Sequence, residues 1–376
     1  MGKHILFDEQ KHLYKLFKEL DTICSENDIP YYLAGGSAIG AVRHGGFIPW
    51  DDDMDIMMFR KDWEKLLALP QEKLPQDRVI CAQENDREFH NSFGRYADTS
   101  TTAIHRNQIV QDDVAGAVID ILVMDPVPAE GYDQYLKDLM LYADLVNDAL
   151  VYSARWGINT YRYLFYSYLR ALFGREWVLS KLEKKMLSYP ENKEDTYAMR
   201  WGGIPFKFQG DMFAGKEIRK EPFEDIEGQV PARLSDYLVW HYGDNWMYIP
   251  PHGEREGHDA VFDMRVPYDV IRDDYKKFID IEKLKRTYTH RKRAILLNNK
   301  SKRAAKKRSL IMSAEANGLF SAESLRKNET AIADAQEKGD FARLFNIFEP
   351  YLKKQLSREY YTMIINGTFH RGGVYY

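Results

Sequence analysis

The chain has 376 residues, of which 44% are apolar and 14% aromatic, so it can build a substantial core and is not a disordered polypeptide. Its net charge of −4 does not fit general nucleic-acid binding, and two cysteines are too few for a disulfide framework. The N-terminal residues lack the apolar stretch of a signal peptide, and no run of 18 apolar residues occurs, so the cytoplasm is the expected location.

The first fifty residues predict a helix followed by a short strand. Residues 8–26 carry apolar side chains at helical spacing, namely Leu13, Leu16, Phe17, Leu20 and Ile23. Pro30 marks the end of the helical region, and residues 31–34 predict a strand that runs directly into Gly35 and Gly36. The glycine pair therefore stands at the end of a strand.

The acidic segment that follows is the most informative part of the chain. Residues 51–58 (DDDMDIMM) predict a strand with an acidic start. Side chains two apart in a strand share a face, which would place Asp53 and Asp55 about 7 Å apart on one side. Carboxylates so close repel each other unless a cation lies between them, and oxygen ligands favour Mg²⁺, Mn²⁺ or Ca²⁺ over zinc or copper. Asp53 and Asp55 are therefore predicted to be catalytic metal ligands.

Two alternatives could explain such an acidic run, namely a solvated loop, which the apolar residues on both sides disfavour, and a calcium-binding EF-hand. The sixth position of that loop requires glycine and here is Ile56, and the twelfth requires glutamate and here is Asp62. The apolar residues between them do not suit a solvated loop. The EF-hand is rejected.

The glycine turn predicts a phosphate site. Gly35, Gly36 and Ser37 follow the predicted strand, and Ser37 suits the N-cap of a short helix that Gly45 would end. Glycine lets the backbone approach a ligand, and a helix N-terminus attracts anions. Followed closely by an acidic strand, the three residues are predicted to bind the phosphates of a donor whose charge the metal neutralises.

A third carboxylate is expected to complete the metal site. Asp120 lies midway along a predicted apolar strand, residues 117–123, where a carboxylate is costly to bury unless it is paired or binds a metal. It is predicted as the third metal ligand, and a further role as the base that accepts a proton stays open. Asp125 is the fallback, although Asp before Pro at the end of a strand is typical of a turn.

Two arginines are candidates for the donor phosphates. Arg43 lies in the short helix between the glycine turn and the acidic segment, and Arg95 lies between the acidic segment and Asp120. Guanidinium groups bind phosphate oxygens in a bidentate manner. Both are predicted as donor ligands.

The remainder of the chain predicts helices and loops. Residues 131–190 read as largely helical, and the aromatic stretch 161–173 is interpreted as a packing helix, with a membrane-surface helix as the minor alternative. Residues 200–270 predict irregular structure. Residues 283–308 contain repeated Lys and Arg without Asp or Glu, and either form a solvated helical face or contact an anionic membrane or glycan.

These motifs resemble those of the LicD family, which also includes the fukutin-type proteins. Residues 35–56 (GGSAIGAVRHGGFIPWDDDMDI) are similar to its long first block, and residues 93–102 and 117–125 are similar to its second and third. The regions around residues 230–231 and 242–251 resemble its C-terminal block. The third block lacks the aromatic residue and proline of many members, and the tail after about residue 272 has no family counterpart.

The resemblance implies a fold and an activity. The expected fold is α+β, a nucleotidyltransferase-like mixed sheet flanked by helices. The catalytic domain would span residues 1–271, with a helical insertion at 131–190 and a basic, helical extension at 272–376. Family members transfer a phospho-alcohol, such as phosphocholine or ribitol phosphate, from a CDP-activated donor to a glycan hydroxyl, with Mg²⁺ or Mn²⁺ bound by the three aspartates.

The expected partners follow from that activity. They are a CDP-alcohol and a cell-surface glycan or its lipid-linked oligosaccharide precursor, with peripheral contact to an anionic membrane through residues 283–308. Nucleic acid is not expected, because no aromatic platform accompanies the basic residues.

The motifs leave rival functions open. A metal-dependent glycosyltransferase also uses Asp-x-Asp with a nucleotide sugar, although the glycine turn ahead of the acidic segment argues against it. An enzyme that transfers the nucleotide itself and a binding protein without catalysis are two further rivals.

Overall fold

The computed structural model describes residues 8–105, 112–146, 160–190, 195–199, 208–213, 218–242, 246–247 and 260–272, together with isolated residues beyond 327. The helices are α1 (Asp8–Glu26), α2 (Gly35–His44), α3 (Arg60–Leu67), α4 (Tyr132–Val146), α5 (Thr160–Phe173), α6 (Arg175–Met186) and α7 (Leu234–Tyr242). The strands are β1 (Tyr32–Leu33), β2 (Asp55–Phe59), β3 (Arg78–Cys81), β4 (Gly94–Asp98), β5 (Thr102–His105), β6 (Ala117–Pro126), β7 (Thr196–Met199), β8 (Phe208–Gln209), β9 (Lys220–Phe223), β10 (Ile226–Gln229) and β11 (Ala260–Asp263).

A mixed sheet forms the centre of the fold. Its strand order is β1-β2-β6-β4-β3, and β7 and β8 continue it from the end of β6. The pairing of β2 with β6 is parallel, and the other pairings among the described strands of this sheet are antiparallel. Helices pack against it, so the predicted mixed sheet flanked by helices is confirmed.

Strand β6 is the longest strand described, and its two faces differ. Ile119 and Ile121 are fully buried, whereas Val118 and Asp120 are half-buried. Alternate side chains of a strand point to opposite faces, so one face of β6 joins the core and the other carries the aspartate. The predicted strand around Asp120 is therefore confirmed and extends to Pro126.

Helix α1 covers the core as its apolar spacing predicts. Leu16, Phe17 and Leu20 are fully buried, and Phe17 makes edge-on ring contacts with Tyr31 and Phe223. Burying each such side chain contributes about 1.5–3 kcal/mol. The N-terminal helix is thus part of the main core.

Helices α4, α5 and α6 bury a second core of their own, in which Tyr142 and Leu182 are fully enclosed. The interpretation of the aromatic stretch as a packing helix is confirmed for one side of α5 and does not account for the other. Tyr166 and Leu169 pack inward, but Phe165 and Tyr168 are more than half exposed. The helix spreads aromatic residues around its circumference, and only one side meets α4 and α6.

Part of the region predicted to be irregular is regular. Strands β9 and β10 form an antiparallel hairpin, which α7 follows. Its strands, KEPF and IEGQ, are short and mostly polar, so they show no strong periodicity and tertiary packing decides their structure. The basic stretch 283–308 lies outside the described residues. Among the helices that are described, none has the length and apolarity needed to cross a membrane.

An ion network fixes α1 to the edge of the sheet. Asp98 accepts a 2.9 Å hydrogen bond from His12 Nε2 and lies 2.9 Å from a guanidinium nitrogen of Arg78. Arg78 also donates to Glu19 at 2.7 Å. Burial alone would raise the pKa of Asp98, but hydrogen bonds from His12 and Ser100 and the charge of Arg78 lower it to about 2.

Replacing Asp98 by Asn should lower the free energy of unfolding at neutral pH by about 2 kcal/mol, because the buried Arg78 then keeps only Glu19 as a partner. Urea denaturation measures the change. The control Asp225→Asn removes an exposed carboxylate 3.7 Å from Lys18 and should cost less than about 1 kcal/mol. Equal losses of unfolding free energy in the two variants would show that the buried Asp98 contributes no more than an exposed carboxylate.

The difference between wild type and Asp98→Asn should also depend on pH. The pKa of Asp98 is lowered from 3.8 to about 2 in the folded protein. Its contribution is therefore complete above about pH 4 and is lost as the pH falls toward about 2. A difference in unfolding free energy that stays constant over that range would exclude Asp98 as the titrating group.

Candidate active site

The predicted acidic and phosphate-binding residues meet in one row across the sheet. Asp55 on β2 is the register partner of Asp120 on β6, and Asp120 is the partner of Arg95 on β4. On the other side, the N–H of Ala34 donates to the carbonyl of Asp55 at 3.0 Å, which sets Gly35 at the end of the same row. Neighbouring strands are about 4.8 Å apart. Residues from four distant segments therefore lie side by side.

The two strands that carry Asp55 and Asp120 run in parallel. Residues in register on adjacent strands project from the same face, so the two side chains are neighbours above the sheet. The backbone N–H of Asp120 also donates to Met54 O at 3.0 Å, which continues the pairing one residue ahead of β2. Both aspartates are only half-buried, so a ligand can reach them.

The predicted strand geometry of Asp53 is wrong. Strand β2 begins at Asp55, and of the four residues before it Met54 accepts a backbone hydrogen bond from Asp120 on β6. Strand alternation therefore does not fix the direction of Asp53, although its charge, like that of Asp55, acts on Tyr242. Three consecutive aspartates favour turn and loop backbone over strand, which explains why the strand begins only where the apolar run starts.

Ser37 is not the N-cap that its type and position predict. Helix α2 begins two residues earlier, at Gly35, and its N-cap is Ala34, whose side chain makes no capping bond. The Ser37 hydroxyl lies in the first turn and accepts a 3.1 Å hydrogen bond from the N–H of Asp55. It therefore ties the helix start directly to the acidic strand. Gly45 ends the helix in a left-handed conformation, as predicted.

A side chain at either glycine would press on a carboxylate of the acidic segment. Gly35 has a φ of +49°, and a Cβ there would lie 3.2 Å from a carboxylate oxygen of Asp55. A Cβ on Gly36 would lie 2.6 Å from Asp51 Oδ2. The helix start and the acidic segment are packed directly against each other, which explains the glycine pair.

Helix α7 supplies two tyrosines that the sequence reasoning did not assign. The Tyr237 hydroxyl accepts a 2.9 Å hydrogen bond from the N–H of Gly35. The Tyr242 hydroxyl lies beside Gly35. Burial and the neighbouring hydroxyl of Tyr237 raise the pKa of Tyr242 well above 10, and the charges of Asp51, Asp55 and Asp53 raise it further. Tyr242 is therefore a protonated hydrogen-bond donor next to the acidic cluster.

The two predicted phosphate-binding arginines are placed differently. Arg95 is buried, and its Nε donates to Asp120 Oδ1 at 2.8 Å. Arg43 is half-buried, donates to the His44 ring nitrogen at 2.9 Å and lies over the Trp50 ring at 5.9 Å. Arg95 thus contacts the predicted metal ligand, and its predicted role toward the donor, like that of Arg43, stays a prediction.

Asp125, the fallback ligand, lies apart from the row. It is a buried residue within β6 and forms a two-bond ion pair with Arg60, at 2.7 and 3.1 Å. The prediction of a turn at Asp125 and Pro126 is therefore wrong, because β6 continues through these residues and pairs with β7. Its carboxylate stabilises the start of α3.

The β9–β10 hairpin holds the loop between α2 and the acidic segment. Glu224 lies at its turn with a φ of 59°, which is uncommon for a residue other than glycine. Its side chain accepts a 3.1 Å hydrogen bond from the N–H of Phe47, and its own N–H donates to Gly45 O at 2.8 Å. These bonds fix the approach of the chain to Asp51.

The residues present fit a divalent cation that also uses ligand oxygens. Among the residues that the structure describes, no group of three or more His, Cys, Asp or Glu side chains is arranged to hold a metal ion. Mg²⁺ typically binds one or two carboxylates and takes its other oxygens from water and phosphate. The adjacent Asp55 and Asp120 meet that requirement, whereas the full set with Asp53 stays a prediction.

Comparison with known proteins finds a family that matches the segment containing most of the residues in this row. Residues 28–114 match the family model described as LicD/FKTN/FKRP, nucleotidyltransferase domain. This segment of the chain is similar to the LicD family over those residues. The resemblance found in the sequence is confirmed, and the matched segment contains Gly35, Asp55 and Arg95 but ends before Asp120.

Individual proteins that are similar to the chain extend the comparison. The lipopolysaccharide cholinephosphotransferase LicD of Haemophilus influenzae is 26% identical over 273 residues, which are 69% of this chain and 97% of that protein. The human ribitol 5-phosphate transferase FKRP is 50% identical over 34 residues, only 7% of its length. An uncharacterized protein of Rickettsia prowazekii is 44% identical over 50 residues, 19% of its length. Of these three matches, the first extends well beyond a short segment.

The sequence reasoning missed Tyr237, Tyr242 and Glu224 as parts of the site. The available signal was the likeness of residues 242–251 to the C-terminal block of the LicD family, which assigned no role to any one residue. Their importance comes from the packing of α7 and the β9–β10 hairpin on α2, and local sequence does not encode such a contact.

Replacing Glu224 by Ala should lower the free energy of unfolding by about 1–2 kcal/mol, because the N–H of Phe47 loses its acceptor. Glu224→Gln is the matched control, since its amide oxygen can still accept that bond. Chemical denaturation of the three proteins measures the difference. Equal stability of the Ala and Gln variants would show that the bond contributes nothing.

Arg95 and Asp120 should be energetically coupled. In a double-mutant cycle with Arg95→Met and Asp120→Asn, we expect a coupling of about 2 kcal/mol in the free energy of unfolding, because either single change leaves a partner without its counter-charge. A coupling near zero would mean that Arg95 does not hold Asp120. The predicted binding of donor phosphate would then be the remaining role for Arg95.

Proposed function

We propose that the chain transfers a phospho-alcohol from a CDP-activated donor to a hydroxyl of a glycan, with a divalent cation at the acidic row. The proposal of a LicD-type phosphotransferase rests on the family match and on the alignment with nearly all of the Haemophilus cholinephosphotransferase. The observation that carries it is the in-register pair of Asp55 and Asp120 beside the glycine turn at the start of α2.

Donor binding would use the start of α2. The first turn has no side-chain cap at Ala34, and its backbone N–H groups carry the partial positive charge that favours a diphosphate. Gly35 and Gly36 let this end of the helix lie directly against the carboxylates of Asp55 and Asp51, so a phosphate bound there would adjoin the proposed cation. Arg43 would add a positive charge from the same helix. The alcohol carried by the donor is proposed as phosphocholine or a similar group.

The cation would be Mg²⁺ or Mn²⁺, held by Asp55 and Asp120, with Asp53 as the further predicted ligand. When bound, it neutralises charge on the donor diphosphate. Arg95 and Ser37 position its ligands: Arg95 fixes one oxygen of Asp120, and Ser37 bonds to the backbone of Asp55. These contacts pre-arrange the carboxylates, which is the main means by which a protein accelerates phosphoryl transfer.

The reaction is an in-line displacement. The oxygen of the glycan hydroxyl forms a bond to the phosphorus that carries the alcohol, and the bond from that phosphorus to the bridging oxygen breaks. CMP leaves, and the proton of the hydroxyl passes to a carboxylate of the acidic row or to water. Tyr242, protonated beside the cluster, can donate a hydrogen bond to an oxygen that gains charge.

The acceptor would be a cell-surface glycan or its lipid-linked precursor. The name of the Haemophilus relative includes lipopolysaccharide, and that of the human relative includes ribitol 5-phosphate. Both describe transfer of a substituted phosphate, which supports a phosphodiester product over a glycosidic one.

The purified chain, Mg²⁺ and a bacterial glycan fraction should release CMP from one member of a panel of CDP-alcohols that includes CDP-choline and CDP-ribitol. Asp55→Asn and Asp120→Asn should each lower kcat by at least about 100-fold, and EDTA should abolish release. Asp53→Asn tests the remaining predicted ligand in the same assay.

The control is Asp77→Asn, an exposed aspartate at a positive φ that Asn also accepts, and it should retain full activity. Release of UDP or GDP from a nucleotide sugar in place of CMP would replace the proposal by a metal-dependent glycosyltransferase. Full activity of Asp55→Asn would remove the acidic row from the mechanism.

A further inference from the structure

An exposed aromatic patch runs along α5 and onto α6. Its members, here called the α5 patch, are between 41% and 61% exposed and are Phe165, Tyr168, Leu172, Phe173 and Trp177. The rings of Phe173 and Trp177 lie 4.7 Å apart, which joins the two helices into one surface. Single exposed apolar residues are common, but a contiguous group of this kind marks a contact surface.

The α5 patch faces outward because the opposite side of α5 packs on α4 and α6. Phe165, Tyr168 and Leu172 are spaced three and four residues apart and share one side of α5. Tyr166 and Leu169 lie on the side that packs on the core of α4 and α6. Helix α5 is therefore anchored on one side, and its other side presents aromatic residues to the surroundings.

Charge around the patch identifies the kind of partner. Residues 160–187 contain six basic and two acidic residues, but Arg175 is buried, Lys185 pairs with Asp138 and Glu183 pairs with Arg87. Lys181 lies over the Trp177 ring at 5.4 Å, and Lys184 is exposed one turn further along α6. Helix α5 itself has no acidic residue, although Glu176 follows in the first turn of α6. The surface is thus apolar at its centre and cationic beside it.

This combination matches the interface of a lipid bilayer. Trp and Tyr settle at the level of the lipid headgroups, Phe and Leu reach the acyl boundary, and Lys and Arg attract anionic headgroups. A protein partner is the rival occupant, but the clustered aromatic side chains and the absence of acids on α5 favour lipid. We propose that the α5 patch rests on the surface of a membrane that contains anionic lipids.

The proposal is independent of the reaction at the acidic row. It assigns membrane contact to residues 165–177, a different segment from the basic stretch 283–308. A vesicle experiment must therefore locate the contact as well as detect binding.

A single-cysteine label locates the contact. Cys24 and Cys81 are both buried, so a thiol placed on the surface can be labelled selectively. Leu172→Cys in the full chain, labelled with an environment-sensitive fluorophore, should show a blue shift and a rise in emission with vesicles of phosphatidylglycerol and phosphatidylcholine. Ile218→Cys, at an exposed apolar residue outside the patch, should show neither change.

Sedimentation with the same vesicles measures the strength of the contact. Phe165→Ser/Leu172→Ser should lower the partition coefficient at least about tenfold. The matched control Ile218→Ser/Val270→Ser changes two side chains that are similarly exposed, and it should bind like the wild type. All four positions are exposed, so thermal unfolding should show the fold unchanged.

Three outcomes would overturn the proposal. The chain fails to sediment with anionic vesicles; it sediments, but the label at position 172 does not respond; or the two double variants bind equally. A change of oligomeric state in Phe165→Ser/Leu172→Ser, with vesicle binding unaltered, would assign the patch to contact between copies of the chain.

Discussion

The parallel pairing of β2 with β6 is the constraint on which the site depends. It sets Asp55 beside Asp120 although sixty-five residues separate them in the sequence. Parallel pairing requires a long connection, and here the connection includes α3, β3 and β4, which returns antiparallel to β6 and brings Arg95 to the other side of Asp120. The register of β6 with its two neighbours therefore fixes the acidic pair and places the Arg95 guanidinium beside Asp120. A shift of one residue would turn these side chains to the other face of the sheet.

The second constraint comes from late segments of the chain. Helix α7 places the Tyr237 hydroxyl on the N–H of Gly35, and the β9–β10 hairpin fixes the loop at Gly45 and Phe47. Both contacts act on α2, whose first turn is the proposed phosphate site. The site is thus assembled from residues about two hundred positions apart, and the later segments hold the early motif in this arrangement.

Helix α5 illustrates how tertiary packing changes the meaning of a sequence pattern. Its aromatic residues surround the helix, and no local signal tells which of them turn inward. Packing against α4 and α6 buries Tyr166 and Leu169 and leaves Phe165 and Tyr168 outside. The inward residues stabilise the insertion, and the outward ones are available for the proposed lipid contact.

The sequence by itself determined the main elements and the chemistry of the site: helix α1 by its spacing, the glycine turn by residue type, and Asp55 and Asp120 by carboxylates next to apolar strand residues. These features are local, because periodicity and residue type act over a few neighbouring positions. Tertiary structure alone decided that β2 begins at Asp55, that Ser37 bonds to the strand and does not cap the helix, and that Arg95 holds Asp120. It also supplied Tyr242 and Glu224. These outcomes depend on which distant segments pack together, and the free energy of that packing is a property of the whole fold rather than of any short stretch of sequence.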